Sequence, residues 1–341
     1  MKQYKIAILG ATGRVGQEYI KILPQRRFPA ASVKLLASDR SVGRKIQFGN
    51  DDIEVEEATP EALKGLDVAF FAAGSDISRK LAPAAAREGA LVIDNSAAFR
   101  MEATVPLVVP EINAEDLRAH QGIIANPNCV TTHMVVALNP LHRVNPVKRI
   151  TVDTYQSVSG TGLAALDELR TQAGQVLAGQ PAAPRVYPHQ IAFNVIPEVE
   201  TPLENGYTKE EWKMVEETRK IMHAPDIAIA ATCVRVPVFS GHSEAVHADF
   251  ASPITPAEAR AILAKSPGIK VIDDVSRSAY PYPIMAVGTD DVLVGRIKQH
   301  PDLPNSLTMW VVADNIRKGA ALNSVQIAEE MIARAWITPR G

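Results

Sequence analysis

The run YKIAILGATGRVGQEYIKIL, residues 4–23, constrains the fold more than any other stretch. A compact apolar β-type segment, Tyr4–Leu9, runs into glycines at positions 10, 13 and 16 and then directly into an amphipathic helical pattern. A tight glycine turn between strand and helix lets backbone approach a pyrophosphate, whose charge the helix N-terminus stabilises. The spacing is G-x-x-G-x-x-G, a variant of the dinucleotide fingerprint G-x-G-x-x-G. The same alternation continues: SVKLLAS reads as a strand, PEALKG as a short helix, DVAFFAAG as a strand, SRKLAPAAAREG as a helix, then ALVIDNS and GIIANPN as strands. Short apolar strands separated by helices predict a parallel sheet covered on both faces, a Rossmann-type doubly wound α/β domain.

From about Thr151 the texture changes to longer β runs, RITVDTYQSVSG, AIAATCVRVPVFSG, EAVHADF, DDVLVGRIKQH and SLTMWVVAD, which predict a second α+β domain with a mixed sheet. The Ala/Pro-rich AGQPAAPRVYPHQ between them reads as an ordered loop, since apolar sequence follows at once. Near the C-terminus, Val325, Ile327, Ala328, Met331 and Ile332 recur at helical spacing, so a helix is expected to return to the first domain. The expected division is residues 1–128 plus 314–341 for nucleotide binding and 129–313 for catalysis and dimerisation. A chain of 341 residues suits two such domains.

With 46% hydrophobic and 22% charged residues and a formal net charge of -2, nothing points to a nucleic-acid or membrane partner. No apolar run nears the roughly 18–20 residues of a membrane helix, and the opening MKQYKIAILGATG enters a strand in place of a signal peptide. A cytoplasmic location is expected. Two distant cysteines, Cys129 and Cys233, form no disulfide framework and should be reduced thiols. The eight histidines show no H-E-x-x-H, and His242 and His247 fall on opposite faces of a regular strand, so no metal site is expected.

After the second strand come Asp39, Arg40 and Ser41. An acidic residue there suits the ribose 2′-hydroxyl of NAD, whereas Arg40 with the Ser41 hydroxyl suits the 2′-phosphate of NADP. NADP is the favoured reading, with a solvated Asp39–Arg40 turn as the alternative. Cys233 sits in an apolar β run, as a core cysteine does. Cys129 follows the turn Asn126-Pro127-Asn128 at the start of a helical run, where orphan N–H groups favour thiolate and can serve an oxyanion. A thiolate beside a nicotinamide implies aldehyde oxidation through a thiohemiacetal and a thioester. RVPVFSGHSE adds Arg235, a charge set among valines, and His242; YQSVSGTG adds Gln156 at a strand end, then Ser159 and Gly160. TKEEWKMVEETRKIM opens with a capping-box pattern, Thr208 and Glu211, and places Glu210 and Lys213 on one helical face, where a plain ion pair is the alternative.

GATGRVG, SDRS, DNSAAFR, NPNC, YQSVSGTG, EEWK, RVPVFSGHSE and DNIRKGAALN occur in this order over essentially the whole chain, which therefore resembles the aspartate-β-semialdehyde dehydrogenase family. The resemblance implies NADP-dependent, phosphate-dependent interconversion of L-aspartate 4-semialdehyde and L-aspartyl 4-phosphate, at the branch toward lysine, diaminopimelate, threonine and methionine. It implies that Cys129 forms the acyl-thioester, His242 acts as acid and base, and Gln156 orients the substrate or intermediate. Arg235 would hold the α-carboxylate, Arg100 and Lys213 the phosphate, and Glu210 would lie near the amino group. Cofactor contacts would fall on the Gly10 turn with Thr12, Gly13, Arg14 and Val15, on Arg40, Ser41, Ser159 and Gly160, and on Asn315. Homodimers or dimers of dimers are implied. An N-acetyl-γ-glutamyl-phosphate reductase would carry a GNPGCY-like stretch where this chain has NPNCVTT, glyceraldehyde-3-phosphate dehydrogenase would carry an SCTTN-type segment, and a short-chain dehydrogenase would need Tyr-x-x-x-Lys, which no tyrosine here provides. A catalytically silent nucleotide-binding homologue is the reading from another class.

Overall fold

A computed structural model describes residues 2–339 of the chain. The chain divides into two compact units, one running to Asn128 and resuming at Ala320, the other Cys129–Gly319. The segment 314–319, grouped above with the nucleotide-binding half, falls in the second unit.

The first unit is built on seven strands: β1 (Tyr4–Leu9), β2 (Ala30–Ala37), β3 (Lys45–Phe48), β4 (Asp51–Glu57), β5 (Val68–Phe71), β6 (Leu91–Asp94) and β7 (Ile123–Ala125). Their order is β3-β4-β2-β1-β5-β6-β7, all pairings parallel except β3 with β4. β1 lies between β2 and β5, with Ile8 opposite both Leu35 and Phe70, so the chain leaves β1 at the point where the strand order reverses. The core gathers Ile6, Ile8, Leu35 and Phe70 with Tyr19, Ile22 and Leu23 of the helix Arg14–Gln25, and with Val325, Ile327, Ala328 and Met331 of the helix Leu322–Ala333. Tyr19 and Phe28 pack on the Phe70 ring at centroid distances of 4.9 and 5.9 Å. The sequence reading differs in two places. Residues 60–65 form turns where a short helix was expected, and β3 with β4 forms an unforeseen hairpin whose residues are mostly polar and exposed.

The second unit carries β8 (Val147–Gln156), β9 (Ala228–Arg235), β10 (His242–Phe250), β11 (Ile269–Val271), β12 (Val292–Lys298) and β13 (Ser306–Ala313), ordered β11-β12-β13-β10-β8-β9. β8/β9 and β11/β12 pair in parallel and the rest antiparallel, which makes the sheet mixed. Along β10, His242, Glu244, Val246, Ala248 and Phe250 are buried at the period of two that a one-sided sheet requires, with Ser243 buried beside them at the strand start. The helix Cys129–Val144 packs over β8, β10, β12 and β13. On the opposite face a groove of about 530 Å³ is lined by Ala245, Tyr280, Tyr282, Met309 and Trp310.

The Ala/Pro-rich loop is held by the helix Leu163–Leu177. Glu168 accepts hydrogen bonds from the Arg185 and Val186 amides, and Gln172 Oε1 accepts from those of Ile191 and Ala192. Among the described residues no helix is long and apolar enough to cross a membrane.

Candidate active site

In the first unit each glycine of the β1 turn has its own reason. Gly10 has φ of +85°, and a Cβ there would lie 2.5 Å from the Ala72 carbonyl oxygen. A Cβ on Gly16 would meet the Gly10 oxygen at 2.1 Å, so helix and strand can approach only without one. Gly13 is the N-cap and supplies no side chain to the first-turn N–H groups, at Arg14 and Val15 among others. Across from this turn, Thr12 Oγ1 lies 3.5 Å from Ser41 Oγ. Asp39 accepts from the Arg40 amide, closing the short helical turn Asp39–Ser41 and leaving both side chains at the surface. Arg100 is buried and donates through Nη2 to the Asn95 carbonyl at 2.8 Å, which folds it back on the end of β6.

The turn before Cys129 is fixed by the C-terminal helix, because Asn323 Nδ2 donates to Asn126 Oδ1 at 2.8 Å and to the Val108 carbonyl at 2.9 Å. Cys129 is the first residue of its helix and is partly exposed. Cys233 is different. It is buried between Glu211, whose carboxylate accepts from its amide, and Met214, and burial, then Glu210, pushes its thiol up.

The second unit brings most of the candidates together. Gln156 and Arg235 stand opposite each other at the ends of β8 and β9. Gln156 Nε2 donates to Glu210 Oε1 at 3.2 Å, and Glu210 Oε2 lies 3.3 Å from Lys213 Nζ, which also reaches Glu200 at 2.5 Å. The helix Lys209–Ile221 presents this pair from a completed capping box, Thr208 with Glu211. The ion pair considered as the alternative does form, on a largely buried carboxylate that also serves Gln156.

Ser157, a residue the sequence reading passed over, joins the rest. Its carbonyl accepts from Arg235 Nη1 at 2.8 Å, and its amide donates to His242 Nδ1 at 3.0 Å. Arg235 lies over the Tyr187 ring at 5.9 Å, and its Nε has no hydrogen-bond partner among the described residues. With Nδ1 accepting from an amide, the neutral His242 ring carries its proton on Nε2, which likewise has no partner there. A Cβ on Gly160 would sit 3.3 Å from both Arg235 Nη1 and His242 Nε2, so the glycine keeps the space beside them open. Burial first, then the Arg235 guanidinium and the neighbouring His133 ring, hold His242 well below the usual histidine range, opposed by a bond to the Gly241 backbone.

Asn315 Oδ1 ties this corner together, accepting from Ser159 Oγ at 3.1 Å, Ser157 Oγ at 3.3 Å and the Gly241 amide at 3.0 Å. Its Nδ2 is buried with no partner among the described residues, a donor that a ligand's amide could meet. Gly319 was also missed. A Cβ there would be 2.7 Å from Cys129 Cβ and 2.9 Å from His133 Nε2, so only glycine lets this π-helical turn, Arg317–Ala321, lie against the thiol. Neither backbone role is visible in residue types alone.

Comparison with known proteins places these features in context. The chain matches the semialdehyde dehydrogenase NAD-binding domain over residues 5–120 and the semialdehyde dehydrogenase dimerisation domain over residues 138–318. It is 49% identical to an aspartate-semialdehyde dehydrogenase of Synechocystis over 98% of both chains. To one from Legionella pneumophila it is 50% identical, over 96% of this chain and 95% of that one. Among solved structures, aspartate semialdehyde dehydrogenase II from Vibrio cholerae complexed with ASA superposes with a TM-score of 0.95 at 44% identity, covering 98% of this chain and 99% of that one. The Candida albicans enzyme with NADP gives 0.76 at 26% identity, over 98% and 99% of the two chains.

Proposed function

This chain belongs to the aspartate-semialdehyde dehydrogenase family, and from that premise we propose that it interconverts L-aspartate 4-semialdehyde and L-aspartyl 4-phosphate with NADP and inorganic phosphate. In the cell it would act as a cytoplasmic homodimer, or a dimer of dimers, reducing the acyl phosphate at the branch toward lysine, diaminopimelate, threonine and methionine. The observation that carries the reading is the His242–Ser157–Arg235 cluster, which sets an imidazole N–H and a guanidinium side by side around Gly160.

The residues present fit a nicotinamide dinucleotide. The uncapped first turn after Gly13 offers N–H groups to a pyrophosphate, Arg40 and Ser41 suit a 2′-phosphate, and Asn315 Nδ2 supplies a buried donor. When bound, that cofactor takes up or returns the hydride. Cys129, at its helix N-terminus, is the nucleophile that adds to the aldehyde carbon. The developing oxyanion accepts the proton of His242, and the thiohemiacetal loses hydride as the proton returns, leaving a thioester on Cys129. Inorganic phosphate, held by Arg100 and Lys213, then displaces the thiolate. Arg235 binds the α-carboxylate through its remaining donors, while Glu210, fixed by Gln156, receives the amino group.

The protonated form of His242 depends on the substrate. A carboxylate on Arg235 offsets the guanidinium charge that opposes it. NADPH absorbance tests the whole reading, with purified protein, L-aspartate 4-semialdehyde and NADP mixed with and without phosphate, beside Cys129→Ala. A phosphate-dependent signal that vanishes in the variant is expected. Activity on N-acetyl-glutamate semialdehyde alone would move the assignment to the related reductase, and silence on both substrates would leave a nucleotide-binding homologue.

A further inference from the structure

Behind Cys129 and His242 lies a set of polar side chains that this reaction leaves without a task. His133 follows Cys129 by one helical turn and so shares its face. Its ring stands edge-on to His242, centroids 6.4 Å apart, and its Nδ1 lies 3.6 Å from Glu244 Oε1. Glu244 is two residues beyond His242 on β10, in the same inward row as Val246 and Ala248. Both side chains are buried, the carboxyl oxygens of Glu244 have no hydrogen-bond partner among the described residues, and the His133 ring has only the Asp314 backbone close enough to favour its protonation. An isolated carboxylate or imidazolium in such a place is costly, whereas one proton held between the two groups leaves the pair uncharged.

Resting on the roles given above to Cys129 and His242, we propose that Glu244 and His133 share a single proton and act as positioning residues for both. The pair forms an uncharged polar wall that fixes the His133 ring between Gly319, the Cys129-bearing turn and the His242 edge. Burial drives the His133 ring down to about 3 and the Glu244 carboxyl well up, which puts the shared proton on Glu244 at neutral pH. The groups acting on this corner are Lys318, whose charge opposes protonation of His133, and the Asp314 backbone, which favours it. Arg235 and His133 act on His242, and Cys233 feels Glu244 with Glu210 and Glu211. A cation on His133 would add to Arg235 and Lys318 and bar His242 from protonation. A bare carboxylate would oppose the Cys129 thiolate.

The proton count is read from stability against pH, with no substrate present. The native wild type keeps one proton in the pair and native Glu244→Gln keeps none, while the unfolded chains bind alike above the ordinary glutamate range. The folding constant of the wild type relative to the variant should therefore rise about tenfold for each pH unit lowered between about pH 8 and 6. Parallel curves would overturn the one-proton pair. Should the glutamine variant not fold, Glu244→Leu, suited to a buried site, gives the same comparison. Positioning is read from alkylation of Cys129 by iodoacetamide, with Cys233 buried. His133→Ala should slow alkylation and lower kcat by about tenfold with KM little changed, and His133→Gln, whose amide oxygen can accept from Glu244, should restore both. Wild-type rates in His133→Ala, or no rescue by glutamine, would overturn it. Loss of phosphate-dependent turnover in the wild type would instead remove the proposed reaction, leaving the stability and alkylation results to stand on their own.

Discussion

A methyl group has no room at Gly319. The Cβ of Gly319→Ala would fall within 3 Å of Cys129 Cβ and His133 Nε2, so either the π-helical turn or the thiol must move. Overpacking of this kind costs about 1–3 kcal/mol, and a nucleophile displaced by an ångström loses on the order of a hundredfold in rate. Gly319→Ala should therefore keep its fold, with a lowered melting temperature, while kcat/KM and the alkylation rate of Cys129 collapse together. Normal alkylation with lost stability would place the strain elsewhere. Arg235 makes the opposite kind of contribution. Arg235→Leu removes a charge-assisted bond to the substrate carboxylate worth roughly 1.5–3 kcal/mol, a rise in KM of about ten- to a hundredfold with a smaller change in kcat. An unchanged KM in steady-state assays would refute that role. His242 taken alone reads as a surface-loop histidine and gains its candidacy from the resemblance, whereas Cys129 and Arg235 stand out as candidates because their types are out of place, a thiol at a helix start and a cation among valines. Glu244 left the same signal, a carboxylate at the parity of Val246, and was not read. Ser157 acts through its backbone and left none.

The elements were readable where period and burial agree. β1, β5, β6 and the helix Leu322–Ala333 follow their apolar spacing because both faces or one full stripe are buried, and β2 does so over its buried end Leu35–Ala37. The hairpin of β3 and β4 escaped because Lys45, Gln47, Asp51, Asp52, Glu54, Glu56 and Glu57 are exposed and the strands bury little. β11, three residues long, gives no period at all. The helix Lys209–Ile221 was legible from its cap, and the cap has a consequence beyond helix stability. Glu211 closes the capping box with Oε2 on the Thr208 amide and accepts from the Cys233 amide with Oε1, so one carboxylate joins helix and β9. Thr208→Ala should cost about 1 kcal/mol, as a lost cap does. Glu211→Ala should cost more, because it also orphans the buried Cys233 amide, a penalty of about 1–3 kcal/mol. Urea midpoints of the two variants decide this, and equal losses would mean that the β9 contact adds nothing.

At the scale of the molecule, two features go beyond any single element. The groove face of the second sheet offers Trp310 and Tyr155, rings 5.2 Å apart, with Tyr280 and Tyr282 half-exposed beside them, in the part of the chain that matches a dimerisation domain. Apolar surface of that kind is suited to a second copy. Trp310→Glu should shift sedimentation toward the monomer, and an unchanged mass would place the interface elsewhere. The second feature is a set of histidines whose charge burial disfavours. His120, His142 and His242 all titrate below their ordinary value because burial disfavours the imidazolium, reinforced by Lys148 at His142 and by Arg235 and His133 at His242. A depressed folded pKa means that the unfolded chain takes up protons first. The stability these groups contribute is whole above about pH 6.5 and is lost as pH falls through that value toward the folded pKa. For the fully buried His242 the slope is about 1.4 kcal/mol per pH unit. His242→Gln should therefore have a flatter acid limb than the wild type between about pH 6.5 and 5, measured as urea midpoints in one buffer series. Limbs of equal slope would show that His242 already carries its proton in the folded, substrate-free chain, and the substrate-dependent protonation on which its acid role rests would fall with that result.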